Sequence, residues 1–124
     1  MLPLWLSPTQ VRLIPISDGF TEKVEEIAQN IAERCIRVDI DDRSSTLQKR
    51  IREAEREWVP YIIVVGQREL ESGVLAVRAR EAHGKVQSMK LDDLVAKVAG
   101  EVEGMPFKPL ALPLFLSKRP QFFG

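Results

Sequence analysis

The stretch Tyr61-Ile62-Ile63-Val64-Val65-Gly66 decides the fold of this chain. Its first five positions are apolar, with no polar residue alternating between them. A run that is apolar on both faces is typical of a strand in the middle of a sheet that is covered on both sides. Gly66 follows as a turn residue and ends the strand. The sequence therefore predicts a layered fold with this strand at its centre.

Upstream of the central strand, the pattern alternates between helix and strand. Residues 46–58 carry apolar side chains at three- and four-residue steps, which predicts an amphipathic helix that Pro60 ends. The predicted buried face of this helix consists of Leu47, Ile51, Ala54 and Trp58. Residues 36–40 predict a second strand, residues 21–34 another amphipathic helix, and residues 11–16 the first strand.

Downstream of the central strand, residues 74–80 predict a fourth strand after a turn at Ser72-Gly73, and its polar end carries Arg78 and Arg80. Residues 91–103 predict a last helix. The order β-α-β-α-β-β-α is typical of parallel strands joined by helical crossovers, and the tight link between the third and fourth strands indicates an antiparallel member. We therefore predict an α/β fold in three layers with a mixed sheet.

A change of character after Gly104 divides the chain. We predict that residues 1–104 form the α/β domain and that residues 105–124 form a proline-rich, apolar tail. Prolines at the density found in this tail exclude a helix or a central strand. Because the tail is too apolar to remain in water, it must pack on this domain or on another part of the protein, and we favour packing on this domain.

The charges of the chain balance, with 18 basic and 18 acidic side chains among 124 residues. They are unevenly spread, since residues 43–56 hold five basic side chains against two acidic ones. Local basic charge in a neutral protein indicates a confined anionic partner rather than a general polyanion binder. No apolar run approaches the roughly 20 residues of a membrane span. The N-terminus lacks a basic leader, so we expect a cytoplasmic protein with no membrane partner.

Residues for catalysis or cofactor binding are scarce. No glycine-rich phosphate loop follows the first strand. The single histidine, His83, is interpreted as a solvated loop residue, and the single cysteine, Cys35, as a small buried side chain. Asp39, Asp41 and Asp42 lack the glycine and glutamate pattern of a calcium loop and are interpreted as loop solvation and helix capping. We expect no catalytic residue, metal or cofactor in this chain.

One edge of the predicted sheet is a candidate binding site. The loop at residues 41–45, the start of the helix that follows, and the Arg78 and Arg80 end of the fourth strand are predicted to meet at the edge where parallel strands end. Arginine and carboxylate side chains at such an edge suit phosphates and the exposed base edges of single-stranded RNA. The helix charges also fit a plainer alternative, the solvated face of an amphipathic helix. The residues alone leave both interpretations open.

Motifs along the whole chain resemble a known family. The first stretch is Trp5-Leu6-Ser7-Pro8-Thr9-Gln10-Val11. The stretches that follow in order are Asp41-Asp42-Arg43, Arg50-Ile51-Arg52-Glu53-Ala54, Val59 to Gly66, Glu69 to Gly73, Val77-Arg78-Ala79-Arg80 and Pro113 to Pro120. Together they resemble the anticodon-binding domain of class II aminoacyl-tRNA synthetases, in its threonyl-specific branch and archaeal form.

This resemblance implies a five-stranded, mostly parallel mixed sheet with helices on both faces. It implies a C-terminal recognition domain that binds the anticodon stem-loop of threonine tRNA and catalyses nothing itself. ATP and zinc would then belong to the catalytic domain of the synthetase, which lies outside this chain and is the second expected partner. The remaining alternative is an accessory module of the same fold, used for protein docking or dimerisation.

The resemblance also implies site residues. The expected anticodon-binding residues are Arg43, Ser44, Lys49, Arg52, Glu69, Arg78 and Arg80. Phosphate attraction is expected from Arg43, Lys49, Arg50 and Arg52. Base reading is expected from Arg78 and Glu69. Ser44 stands where bacterial members carry an asparagine that reads a base, so a hydroxyl replaces an amide there.

Overall fold

The computed structural model of the chain describes residues 9–34, 36–80, 85–102 and 114–118. The helices and strands are β1 (Val11–Pro15), α1 (Thr21–Ala32), β2 (Val38–Ile40), α2 (Leu47–Arg56), β3 (Tyr61–Val65), α3 (Gln67–Ser72), β4 (Val74–Ala79), β5 (Val86–Lys90) and α4 (Leu91–Val102). Short 3-10 turns occur at Asp18–Phe20 and Leu116–Lys118. The predictions made for Cys35, His83 and the Trp5–Pro8 stretch lie outside the described residues.

The strand β3 lies in the middle of the sheet, as its apolar sequence predicts. The strand order is β2-β1-β3-β4-β5. β1 pairs in parallel with β2 and with β3, whereas β4 is antiparallel to both β3 and β5. Four of the five strands therefore run in one direction. The predicted mixed, mostly parallel five-stranded sheet is confirmed.

Helices cover both faces of the sheet, which confirms the three layers. α1 and α4 pack on one face, where Leu13, Ile63 and Val77 lie side by side in adjacent strands. α2 packs on the other face, against Ile14 and Ile62. These five side chains are almost completely buried. Burying a side chain of this size contributes about 1.5–3 kcal/mol, so the two faces supply the main stabilisation of the domain.

The residue pattern did not predict two of these elements. The stretch Glu69 to Gly73 comprises the last four of the six residues of α3 and its C-cap, a helix that the residue pattern did not predict. β5 was implied only by the family resemblance, because its residues are mostly exposed and show no apolar alternation. Both elements depend on their neighbours, since β5 forms by pairing with β4.

The end of α2 differs from the prediction. The helix stops at Arg56 rather than at residue 58. Leu47, Ile51 and Ala54 face the core as expected. Trp58 was predicted on the same face, and that prediction was wrong: its φ is 57° and the residue is 59% exposed. The chain has left the helical path before Trp58, so the helical spacing no longer applies to it.

A buried ion pair lies under α2. Arg12 of β1 is 1% exposed and donates from Nε and Nη2 to the two carboxylate oxygens of Asp39 in β2, at 2.9 and 3.0 Å. Thr9 donates its hydroxyl to the same carboxylate at 2.8 Å. The Nη1 atom of Arg12 reaches Glu57, just after α2, at 2.6 Å. Burial alone lowers the pKa of Arg12, but the hydrogen bonds and charges of Asp39 and Glu57 more than offset this and raise it, so the guanidinium stays charged.

The described part of the tail, residues 114–118, packs on the free side of β2. The amide of Ile40 donates to the carbonyl of Leu114 at 2.9 Å, and Ile40 forms a parallel bridge with Phe115. Ser117 donates from its amide and its hydroxyl to the carboxylate of Asp42, at 3.0 and 2.7 Å. The predicted boundary at residues 104 and 105 lies outside the described residues.

Candidate nucleic-acid interface

The loop after β2 is attached to α2 by two arginines. Arg50 is 7% exposed and donates from Nη1 to the carbonyls of Pro15 and Asp41, at 3.0 and 3.1 Å. Its guanidinium therefore joins the ends of β1 and β2 to α2. The expectation that Arg50 attracts phosphates was wrong, because a buried guanidinium that binds backbone carbonyls does not reach a ligand.

Arg43 lies in the same loop with a partly exposed guanidinium. It donates to both carboxylate oxygens of the buried Asp41, at 2.9 and 2.7 Å, and pairs with Glu53 of α2 at 2.8 Å. The hydrogen bond to Asp41 raises the pKa of Arg43 more than burial lowers it. The side chain stays charged, but two carboxylates already match that charge, so a phosphate would have to share it with them.

Three of the expected contact residues are exposed around α2. Ser44 lies in the loop before the helix, and Lys49 lies in its first turn. Thr46 is the N-cap, and its hydroxyl accepts from the amide of Lys49 at 3.2 Å, which fixes where the helix begins. Arg52 follows one turn later, also exposed. Ser44 and Lys49 are thus available to a ligand at the carboxyl end of the parallel strands, whereas Arg52 lies in the middle of α2.

Glu69 lies at the same end of the sheet, in the first turn of α3. Its Oε2 atom accepts from the amide of Gly66, the N-cap residue of α3, at 3.0 Å. A methyl group on Gly66 would lie 2.5 Å from the tip of Ile16 and 3.2 Å from this carboxylate oxygen. The hydrogen bond from the Gly66 amide thus holds the Glu69 carboxylate at the start of α3, and the close packing leaves no room there for a larger residue than glycine.

Arg78 and Arg80 lie at the opposite end of the sheet, so the prediction that they meet the loop at residues 41–45 on one edge was wrong. Because β4 runs antiparallel to β3, its last residues lie beside the first residues of β3. Arg78 is paired with Ile62, and the amide of Arg80 donates to the carbonyl of Pro60 at 2.8 Å. Ile62 precedes Val65, the last residue of β3, by three residues. At about 3.3 Å per residue, Arg78 therefore lies roughly 10 Å from the carboxyl end of β3.

The structure instead brings Arg78 onto a sheet surface that no helix covers among the described residues. Along β4, Leu75 and Val77 are buried toward α1 and α4, whereas the alternate residues Ala76 and Arg78 are half-buried on the α2 side. Their partners in β5 on that side are exposed. We call this surface the open face; it consists of Val74, Ala76, Arg78, Val86, Ser88 and Lys90.

One flank of α2 borders the open face. Two glutamates near the end of α2 lie on the side away from the open face. Glu53 pairs with Arg43, which follows β2, and Glu57 pairs with Arg12 of β1. With about 3.6 residues per turn, Glu55 falls on the opposite flank, toward β4, and Arg52 falls on the outward side of the helix. The structure therefore brings Glu55 and Arg78 to one groove, whereas Arg52 is exposed on the outward side of α2.

The turn after α2 has the hydrogen bonds of a Schellman motif. The amide of Val59 donates to the carbonyl of Ala54, and the amide of Trp58 donates to that of Glu55, each at 3.1 Å. The residue at the position of Trp58 in this motif is usually glycine, because its φ is positive. Holding a non-glycine residue there costs about 1–3 kcal/mol. Trp58 is thus a bulky residue in a strained position.

A groove of about 320 Å³ opens beside this turn. Its lining residues are Glu55, Trp58, Val59, Ile62, Arg78, Ala79 and Arg80. The Nη1 atom of Arg80 donates to the carbonyl of Trp58 at 3.0 Å, and its buried Nε has no hydrogen-bond partner among the described residues. An apolar floor between two arginines and a carboxylate suits a flat ligand with a polar edge.

Trp58 and Glu55 were not among the expected site residues. One signal in the sequence pointed to Trp58: Pro60 disfavours the helical conformation for Val59, so the chain must leave the helix just before it. A tryptophan at such a turn is not held on the helix face. No signal of this kind distinguished Glu55 from the other charges of α2.

The fold and these surfaces define a class of protein, an α/β binding domain whose exposed chemistry suits single-stranded nucleic acid. Among the described ranges there is no group of three metal-ligating side chains. The helices within those ranges are also too short and too polar to cross a membrane.

The chain belongs to the anticodon-binding domain family, whose sequence model matches residues 10–101. It is 52% identical over 124 residues to the threonine–tRNA ligase of Pyrococcus horikoshii, covering the whole chain and 20% of that protein. It is 49% identical over 121 residues to the threonine–tRNA ligase of Thermofilum pendens, covering 98% of the chain and 20% of the relative. The chain therefore spans about one fifth of the length of the curated relatives it matches.

A solved structure agrees with the sequence relatives. The RNA-binding domain of threonyl-tRNA synthetase from Cryptosporidium parvum Iowa II superposes with a TM-score of 0.73 at 28% identity. The match covers 87% of this chain and 26% of that one. The predicted family and the non-catalytic nature of the domain are confirmed, and the alternative of an accessory docking module is not favoured. The assignment of individual contact residues stays a prediction.

Proposed function

We propose that this chain is the anticodon-recognition domain of a threonine–tRNA ligase and binds the anticodon stem-loop of threonine tRNA. The observation that carries the proposal is the open face, where Arg78 lies beside the flank of α2 that holds Glu55. The threonine–tRNA ligases to which the chain is about half identical supply the substrate. A tRNA-binding role agrees with the expected cytoplasmic location.

Catalysis belongs, in this proposal, to the part of the ligase outside this chain. That part would hold ATP and zinc, and the domain described here would be joined to it as its partner. The role of the present chain is recognition, in which no bond is made or broken. Its contribution to the reaction is to hold the correct tRNA and to disfavour tRNAs with other anticodons.

The contacts divide into positioning and reading. Lys49 and Arg52 are exposed cations on α2, suited to phosphate oxygens, and such contacts fix the register of the RNA without reading its sequence. Arg78 is suited to a base edge, because a guanidinium presents a planar fork of donors. Ser44 and Glu69 lie at the carboxyl end of the parallel strands, where a hydroxyl and a carboxylate can contact a further base. A good base contact is worth about 1–3 kcal/mol of discrimination.

An unpaired RNA segment fits this surface better than a duplex does. Bases of an anticodon loop are splayed and offer their flat faces and their polar edges together. The open face offers small side chains at Ala76 and Ser88, with charge at Arg78 and Lys90. A base can approach the sheet closely over the small residues while the cations neutralise its phosphates.

The test is binding of anticodon stem-loops to the 124-residue chain. We expect Arg78→Ala to weaken binding of the threonine stem-loop by about 5- to 150-fold, and binding of a stem-loop with another anticodon far less. Fluorescence anisotropy at two salt concentrations measures both. Arg34→Ala is the matched control, since Arg34 is an exposed arginine just after α1, on the other face of the sheet. Equal losses for both stem-loops in the Arg78 variant would contradict base reading, and a wild-type chain that does not prefer the threonine stem-loop would contradict the proposed function.

A further inference from the structure

The turn at Trp58 combines backbone strain with an exposed aromatic ring. Its φ of 57° lies in the region that favours glycine, yet the sequence places the largest side chain there. The residue is 59% exposed, so the core of this chain covers less than half of it. Strained positions of this kind persist where the surrounding structure enforces them, and they cluster at functional sites.

Three contacts enforce this conformation. The amides of Trp58 and Val59 close the Schellman turn on α2. Arg80 donates to the carbonyl of Trp58 at 3.0 Å from the other side of the groove. Arg12 pairs with Glu57, the neighbour of Trp58, at 2.6 Å. The backbone of Trp58 is therefore held in place by residues from α2, β1 and the end of β4.

The groove beside the indole has the composition of a nucleobase site. Its floor is apolar, with Val59 and Ile62 each at most 4% exposed. Its rim holds Arg78 and Arg80 as donors and Glu55 as an acceptor. A phosphate would suit the arginines but not the apolar floor or the carboxylate. A base offers a flat face to an indole and both donors and acceptors along its edge.

We propose that Trp58 is a stacking platform for an unpaired nucleobase of the bound RNA, with the edge of that base toward Arg78 and Glu55. The inference rests on the proposed function and adds to it a specific contact. Stacking is tolerant of sequence, because every base has a flat face. Trp58 therefore contributes affinity that is shared by all anticodons, whereas Arg78 contributes discrimination between them. Arg80 is a positioning residue that holds the carbonyl of the turn.

The test compares four variants at this position for stem-loop binding and for urea unfolding. Trp58→Gly and Trp58→Asn tolerate the positive φ but lack the ring, Trp58→Ala lacks the ring and keeps the strain, and Trp58→Phe keeps a ring. We expect the three variants without a ring to lose affinity by about 5- to 150-fold, equally for the threonine stem-loop and a stem-loop with a changed anticodon. Trp58→Phe should stay within about threefold of the wild type, since its ring also stacks.

Unfolding separates a role in binding from a role in stability. Relief of backbone strain should lower the unfolding constant of Trp58→Gly by about fivefold relative to Trp58→Ala. If RNA affinity depends on the ring, Trp58→Gly and Trp58→Ala lose the same amount of affinity although their stabilities differ. A second readout uses a Trp5→Phe background, in which Trp58 is the remaining one of the two tryptophans. Stacking should quench its emission on addition of the stem-loop.

The outcomes are distinguishable. A wild-type chain that binds no stem-loop would overturn the proposed function and this inference with it. If the wild type binds and Trp58→Gly binds as tightly, the stacking role is wrong while the proposed function stands. The stacking role is also wrong if Trp58→Phe loses as much affinity as Trp58→Ala, or if affinity follows stability across the series.

Discussion

Replacing Arg12 by methionine should destabilise the domain strongly. Arg12 is 1% exposed, and it is the cation that faces the fully buried carboxylate of Asp39 through two hydrogen bonds of 2.9 and 3.0 Å. Arg12→Met keeps much of the side-chain volume but leaves the Asp39 charge in the interior without its cation. Breaking a buried ion pair by removing one partner costs about 3–5 kcal/mol, which is a large part of the roughly 5–15 kcal/mol that stabilises a domain.

Urea unfolding of the 124-residue chain measures this loss. With a urea dependence of about 1–3 kcal/mol per molar, the midpoint should fall by at least about 1 M. The double variant Arg12→Met/Asp39→Leu removes both charges, so it should be more stable than the sum of the single changes predicts, by about 2 kcal/mol or more. Arg34→Ala, a change at an exposed arginine, should stay within about 0.5 kcal/mol of the wild type.

Two results would refute this reasoning. A loss below about 1 kcal/mol for Arg12→Met would mean that the pair behaves like a surface salt bridge, which contributes about 0–1 kcal/mol. Additive losses in the double variant would mean that Arg12 and Asp39 are not coupled, so the cost would come from packing rather than from the unpaired charge.

Two further predictions concern single positions. Lys49→Ala should lower affinity for all stem-loops alike and reduce the slope of log affinity against log salt by about one unit, because one phosphate contact is lost. An unchanged slope in a salt titration would show that Lys49 does not contact a phosphate. Gly73→Ala should destabilise the domain by about 1–2 kcal/mol in urea unfolding and leave RNA affinity unchanged. Gly73 has a φ of 73° and open space around an added methyl group, so the substitution adds only backbone strain. An unchanged urea midpoint would contradict the positive φ at this residue.

The sequence predicts the helices and strands that have a buried face well and those without one poorly. The four strands β1 to β4 and the helices α1, α2 and α4 were predicted to within a few residues, because the buried side chains that define them recur with the period of a strand or a helix. β5 has no such pattern, since most of its side chains are exposed and pairing with β4 holds it in place. α3 carries no buried residue, so its sequence does not show the helical period.

The candidate site was predictable only in part, because arginines with similar sequence surroundings differ in their burial and in their hydrogen-bond partners. Arg50 turns inward to a carbonyl of Pro15, which is 35 residues away, Arg43 is held by two carboxylates, and Arg52 is exposed. Only the tertiary fold decides which acceptors lie near each guanidinium. The location of Arg78 depended in the same way on the direction of β4, which places the end of that strand beside the beginning of β3.

The contact between the tail and β2 has a consequence for the order in which the protein is made. Ser117 binds Asp42 across 75 positions of sequence, and Leu114 and Phe115 cover the outer edge of β2 beside it. At about 5–20 residues per second, a ribosome needs roughly 4–15 s to add the residues between the two partners. During that interval the emerging β2 lacks this cover, and an uncovered strand edge is a template for pairing with another chain. The tail thus covers this edge of the sheet late in synthesis, and until residues 114–118 have been added the edge of β2 lacks this cover.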